Sequence, residues 1–256
     1  MKKSRRDFLK MATVTAAGLG LSVPCWAAMP TGPTNVIPDP KALRGNRWAI
    51  VIDSRRMTEE DFARCIKACH SIHNVPEFDS KKEIKWLWTD HFGHVFPDQH
   101  NPYQAEAVEE RDYLLLCNHC DNPPCVRVCP TKATYKREDG VVMMDYHRCI
   151  GCRYCMAGCP YGARSFNFSD PRQYLKDEDL NMDFPTRSKG VVEKCNLCAE
   201  RLAEGKIPAC VEAARGKMYF GDLDDPNSEV NKVLKENYTM RRKPALGTLP
   251  SVFYII

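Results

Sequence analysis

Thirteen of the fourteen cysteines in this 256-residue sequence fall into four short groups. In chain order, the first is Cys65 and Cys69. The second is Cys117, Cys120, Cys125 and Cys129 before Pro130, and the third is Cys149, Cys152, Cys155 and Cys159 before Pro160. The fourth is Cys195, Cys198 and Cys210. The third group has the C-x2-C-x2-C-x3-C-P spacing at which three thiolates hold one 4Fe-4S cubane and the fourth reaches a different one. A tight loop such as Cys149-Ile150-Gly151-Cys152 can wrap three corners of a cubane, with Gly151 letting backbone N–H groups approach its sulfurs. A helical turn then carries the last thiolate away, and the proline fixes the exit. Two such groups facing each other would exchange their fourth ligands.

Other uses of cysteine fit this spacing less well. Zinc ribbons repeat C-x2-C pairs but use two thiolates plus two, whereas the second and third groups each carry four close thiolates and a trailing Cys-Pro. A disulfide framework would have to pair four cysteines within about a dozen residues, which the bond's geometry resists. No nucleophile, general base or open metal position stands out, so no catalytic residue is expected. His119 and His147 flank ligands and could tune them. Tyr146, Tyr154 and Tyr161 are expected to shield metal from water. Arg148, Arg153 and Arg164 read as solvated or docking side chains.

The elements that must position these groups are short, and the fold class expected is α+β and loop-rich. Trp48–Asp53 reads as an apolar strand, and 58–72 as a helix capped by Thr58. Residues 76–110 carry many charges and aromatics but no period, and read as a connecting excursion and partner-contact surface. Tyr113–Leu116 is a second strand, 134–144 a hairpin about Asp139-Gly140, and Met218–Phe220 a last strand. Residues 171–189 form a polar excursion. The tail, 223–256, ends in Val252-Phe253-Tyr254-Ile255-Ile256 and is expected to pack on another subunit.

The formal charge of +4 sits at the front. Residues 1–27 contain Lys2, Lys3, Arg5, Arg6 and Lys10 against Asp7 alone, so the rest is balanced. Nucleic-acid binding, which needs a concentrated basic face, is not expected. Ser4-Arg5-Arg6-Asp7-Phe8-Leu9-Lys10 resembles a twin-arginine export signal, followed by a modestly apolar run and a small-residue site, with cleavage expected after Ala27. Residues 28–45, rich in proline, read as an extended linker. The resemblance implies export of a folded, cofactor-loaded chain to the periplasmic side of the cytoplasmic membrane. No other apolar run approaches the ~20 residues that span a bilayer, so no transmembrane helix is expected in the mature chain.

The four-group layout, with Cys195-Asn196-Leu197-Cys198 and Lys206-Ile207-Pro208-Ala209-Cys210-Val211-Glu212-Ala213, resembles the four-cluster ferredoxin-like subunits of membrane oxidoreductases. These are the electron-transfer subunits of dimethyl-sulfoxide, polysulfide and tetrathionate reductases. The likeness covers most of residues 46–222. It implies two paired bacterial-ferredoxin-like modules, one of residues 111–170 and one of 46–75 with 190–222. It further implies one cluster on Cys117, Cys120, Cys125 and Cys159, and a second on Cys149, Cys152, Cys155 and Cys129. A third would use Cys195, Cys198, Cys210 and Cys69. The fourth family position departs from the pattern: Met57, Glu60, Cys65 and Ala214 stand where its ligands belong, leaving one remnant thiol. Three 4Fe-4S clusters are therefore expected.

In that family the fourth position lies at the end of the cluster series that faces a molybdenum catalytic subunit, and a chain without it resembles the exported DsrO-type ferredoxin-like subunit of the redox complex associated with dissimilatory sulfite reduction. This implies an electron-transfer role in respiratory sulfur metabolism, with a quinone-interacting integral membrane subunit and a multihaem cytochrome c as partners. The other reading is an electron-transfer subunit of a molybdopterin sulfur-compound reductase.

Overall fold

A computed structural model describes residues 39–256, apart from 79 and 81. The expected export signal, with Arg5, Arg6 and the cleavage site, and most of the 28–45 linker lie outside the described residues. Within 39–45 the chain is already anchored, the Leu43 N–H donating to the Leu202 carbonyl at 2.9 Å.

In chain order the helices and strands are β1 (Trp48–Asp53), α1 (Glu59–Ile72), β2 (Leu87–His91), α2 (Phe92–Val95), α3 (Glu106–Glu109) and β3 (Asp112–Leu116). Then come α4 (Pro124–Arg127), β4 (Thr134–Lys136), β5 (Val142–Met144), α5 (Tyr154–Ala157), β6 (Ser165–Phe166) and β7 (Val192–Glu193). The last are α6 (Ala199–Ala203), α7 (Ala209–Ala213), β8 (Met218–Asp222), α8 (Glu229–Glu236), β9 (Thr239–Met240) and β10 (Val252–Ile255). This is the α+β, loop-rich class the sequence implies.

Every residue of β1 is buried, because it lies inside a four-stranded sheet of order β8-β1-β10-β9. Alternation along the strand sends Trp48, Ile50 and Ile52 to the face that carries the cysteines, and Ala49 and Val51 to the face covered by Val230, Val233 and Leu234 of α8. A strand covered on both faces needs apolar side chains on both, which is why Trp48 to Ile52 is one apolar run.

Helix α1 starts where Thr58 and Asp61 form a reciprocal capping box. Phe62, Cys65 and Cys69 then recur at helical spacing and are all buried, so two thiols lie one turn apart on the inward face.

Two segments depart from the sequence reading. The stretch expected to be an excursion, 76–110, contributes β2, which pairs antiparallel with β3 from Leu87↔Leu116 to His91↔Asp112. Its Ile84, Trp86, Phe92, Val95 and Phe96 are core residues. Their apolar side chains are interrupted by solvent-facing charges over too short a run to show a period. The C-terminal end is likewise a correction: β10 pairs in parallel with β1, Ile50↔Val252 to Asp53↔Ile255, and Val252, Tyr254 and Ile255 are buried in their own domain.

Candidate metal centres

The four C-x2-C loops turn through left-handed backbone, at His119 (φ +39°), Gly151 (φ +72°), Arg153 (φ +62°) and Leu197 (φ +59°). Such a turn points successive N–H groups into one concavity, which favours an anionic sulfur. For His119, Arg153 and Leu197 the conformation costs about 1–2 kcal/mol each. Only glycine fits at 151, because a Cβ there would lie 2.5 Å from the Gly190 carbonyl oxygen. Backbone N–H groups already face thiols: Leu197 to Cys195 Sγ at 3.4 Å, Ala209 to Cys198 Sγ at 3.4 Å and Thr134 to Cys129 Sγ at 3.5 Å.

The thiols converge in three sets. One cavity is lined by Cys117, Cys120, Cys125 and Cys159, and a second by Cys129, Cys149, Cys152 and Cys155. Each takes three cysteines from one group and the last cysteine of the other. In the third set, burial raises the Cys69 thiol well above its ordinary range, reinforced by Cys195, Cys210 and Cys198 around it. Cys210 is raised in the same way, by burial and then by Cys198, Cys195 and Cys65. Thiols of different sets also come near one another. Cys195 is pushed up to about 12 by burial and next by Cys117 of the first cavity, while Cys155 of the second cavity lies within electrostatic reach of Cys125 of the first. Burial thus favours the protonated form of Cys69, Cys195 and Cys210, and metal binding there must expel protons.

Of the four residues assigned to the fourth position, Met57, Cys65 and Ala214 are buried in the main core, and Glu60 is exposed on the first turn of α1. The Cys65 thiol donates to the Cys210 carbonyl at 3.3 Å, and burial pushes its pKa up to about 11.

Asn118 and Arg164 line the first cavity, His119 lies in its Cys117–Cys120 loop, and all three carry polar atoms that have no hydrogen-bond partner among the described residues. Both amide atoms of Asn118, Nε2 of His119 and Nη2 of Arg164 are buried and unsatisfied. His119 Nδ1 accepts from the Val142 N–H at 3.1 Å, which leaves Nε2 as the proton-bearing nitrogen. Buried donors seldom go unpaired. Four thiols surrounded by orphaned donors fit a thiolate-held cluster whose sulfurs accept hydrogen bonds.

Residues 113–174 match the family model described as a 4Fe-4S dicluster domain. The chain is 42% identical to the Hdr-like menaquinol oxidoreductase iron-sulfur subunit 1 of Archaeoglobus fulgidus, over 98% of this chain and 97% of that one. It is 34% identical to a subunit of the tetrathionate reductase of Salmonella typhimurium, over 100% and 89%. It is also 35% identical to the menaquinone reductase iron-sulfur cluster-binding subunit of Nitratidesulfovibrio vulgaris, over 82% and 88%. The chain belongs to this family of iron-sulfur electron-transfer subunits of respiratory oxidoreductases. As such a subunit it relays electrons and leaves catalysis to other chains of its complex. Among the described residues, no helix is long and apolar enough to cross a membrane.

Several residues that surround the thiols in this iron-sulfur subunit were not legible as such. Arg164 is not a solvated side chain but is 4% exposed. Lys194 is 1% exposed, its ammonium donating to the Val142 and Cys195 carbonyls. Thr248, in the tail, bonds the Tyr161 hydroxyl, and the tail backbone closes over the second-group loop, with Asp121 N–H donating to the Leu249 carbonyl at 2.9 Å. Tyr161 is buried as expected of a shield, whereas Tyr154 is 62% exposed. His147 is exposed as well. The signal that could have marked Arg164 is its place four residues after the Cys-Pro of the third group, inside a short strand-forming segment.

Proposed function

We propose that the chain holds three 4Fe-4S clusters on twelve cysteines. The sets are Cys117, Cys120, Cys125 and Cys159; Cys149, Cys152, Cys155 and Cys129; and Cys195, Cys198, Cys210 and Cys69. The observation that carries this is the sorting of the thiols into two four-cysteine cavities and one buried quartet, beside a fourth position filled by Met57 and Ala214. When bound, each cluster supplies a one-electron centre. The protein's own part is to hold the centres near one another, to point N–H donors at their sulfurs and to keep water away.

The complex this subunit serves is read as one that exchanges electrons with a membrane quinone pool through an integral membrane subunit. A multihaem cytochrome c is the second partner, on the periplasmic side after twin-arginine export. Two relatives are named for menaquinol or menaquinone chemistry, which supports the quinone partner. The setting proposed is respiratory sulfur metabolism. A second reading, the electron-transfer subunit of a molybdopterin sulfur-compound reductase, draws on the likeness to the tetrathionate reductase subunit and to a chain of Halobacterium salinarum named for the iron-sulfur subunit of a dimethyl sulfoxide reductase.

Purification of the complex in mild detergent from membranes of the native organism tests the choice. A haem-containing, molybdenum-free complex whose iron-sulfur EPR signals appear on adding a reduced menaquinone analogue is the expected result. Stoichiometric molybdenum with a large catalytic subunit would favour the second reading.

A further inference from the structure

We propose that Arg164 is a positioning residue of the relay, a fixed cation shared by the first two thiolate sets that raises the reduction potential of both centres together. The inference rests on the ligand assignment above. Arg164 lines the cavity formed by Cys117, Cys120, Cys125 and Cys159. Cys125 of that cavity packs in one small apolar cluster with Cys155 of the other. The guanidinium lies beside the Cys125 and Cys155 thiols. Its Nη1 donates to Thr134 Oγ1 at 3.1 Å and faces Met144 Sδ at 3.8 Å, while Nη2 has no protein partner. No carboxylate pairs with Arg164 among the described residues. Its charge acts on Cys125, Cys155 and Cys117.

A buried guanidinium without a protein counter-ion is costly, and its full compensation requires negative charge in the adjoining space. A thiolate-held cluster provides that charge, and provides more of it after taking up one electron. Arg164 thus stabilises the reduced form of each centre over the oxidised form, and so raises its potential. The step it assists moves one electron from one centre to the next. No bond forms or breaks at Arg164, and its proton count stays constant, because a guanidinium does not deprotonate in proteins. Sharing the cation between two centres keeps their potentials close, which suits transfer in either direction.

The test is an EPR-monitored redox titration of the intact complex carrying Arg164→Met or Arg164→Lys, with iron content measured alongside. Arg164→Met is expected to lower the midpoints of both centres by at least tenfold in each reduction equilibrium, about 59 mV for a one-electron couple. The centre on Cys69, Cys195, Cys198 and Cys210 should not move. Arg164→Lys, which keeps the charge, should recover most of the shift. Unmoved midpoints at full iron content, a shift in one centre alone, or equal shifts in both variants would overturn the proposal.

If the Met variant fails to load iron, pulsed EPR of the unaltered complex grown on guanidino-15N-arginine decides. Nitrogen couplings to both reduced centres, lost from Arg164→Lys, are expected; coupling to neither or to one contradicts the proposal. The ligand reading is checked separately by Cys125→Ser and Cys155→Ser, which must each perturb a different centre. If they do not, that reading fails, whereas distinct centres with unmoved midpoints sink the role of Arg164 alone.

Discussion

Cys69 and Cys65 lie one turn apart on the same buried face of α1, yet they have different surroundings. Cys69 faces three further thiols, whereas Cys65 donates a hydrogen bond to the backbone carbonyl of Cys210. Cys69→Ala should therefore remove only the centre on Cys195, Cys198 and Cys210, seen as the loss of four irons and one EPR signal, while Cys65→Ala should keep every signal. Loss of the pair on the second and third groups from Cys69→Ala would refute the assignment. Gly151 makes a second prediction. A Cβ there meets the Gly190 carbonyl oxygen at 2.5 Å and must also adopt φ +72°. Gly151→Ala should lose or degrade the centre on Cys129, Cys149, Cys152 and Cys155, with the other two signals retained. The chemistry of these residues was readable from spacing because a cubane demands closely spaced thiolates. What spacing could not reveal is which buried cations and donors approach them, since Arg164, Lys194 and His119 look like ordinary polar residues until the fold removes them from water.

At the scale of elements, the start of α1 shows how a local signal fixes the frame around a centre. Burial alone would push the Asp61 carboxyl up, but hydrogen bonds from Lys217, Thr58 and Arg64 outweigh it and hold the group well below the ordinary carboxylate range. Asp61→Ala removes half of the capping box and two cationic partners, and should destabilise the protein by about 1–3 kcal/mol, read as a lower thermal midpoint. Because the folded carboxyl is more acidic than the unfolded one, its contribution is complete above about pH 4 and fades only as the pH falls through the folded value. The gap between wild type and variant should therefore stay flat from pH 8 to pH 5. This helix, β1, β3 and the 134–144 hairpin were visible in the sequence, since each carries a local period, cap or turn. The strand β2 and the parallel pairing of β10 with β1 were not. Both depend on partners 21 or more residues away, and an apolar strand end has the same pattern whether its own sheet or another subunit covers it.

For the whole molecule, the three thiolate sets differ in depth. Cys69, Cys195, Cys198 and Cys210 are all buried, whereas Cys152 is exposed and Cys129 and Cys149 are half-buried. A soluble oxidant such as ferricyanide should accordingly destroy the centre on Cys129, Cys149, Cys152 and Cys155 first and the Cys69 centre last, followed by the order in which EPR signals vanish. The proposed absence of a fourth centre rests on Met57 and Ala214, which pack in the main core at positions where the family resemblance would put its ligands. The most direct test is the iron and acid-labile sulfide content of the cofactor-loaded protein, taken with spin quantitation after full reduction. Three centres predict twelve irons, twelve sulfides and three interacting spins per chain; sixteen irons with a fourth signal would contradict the account.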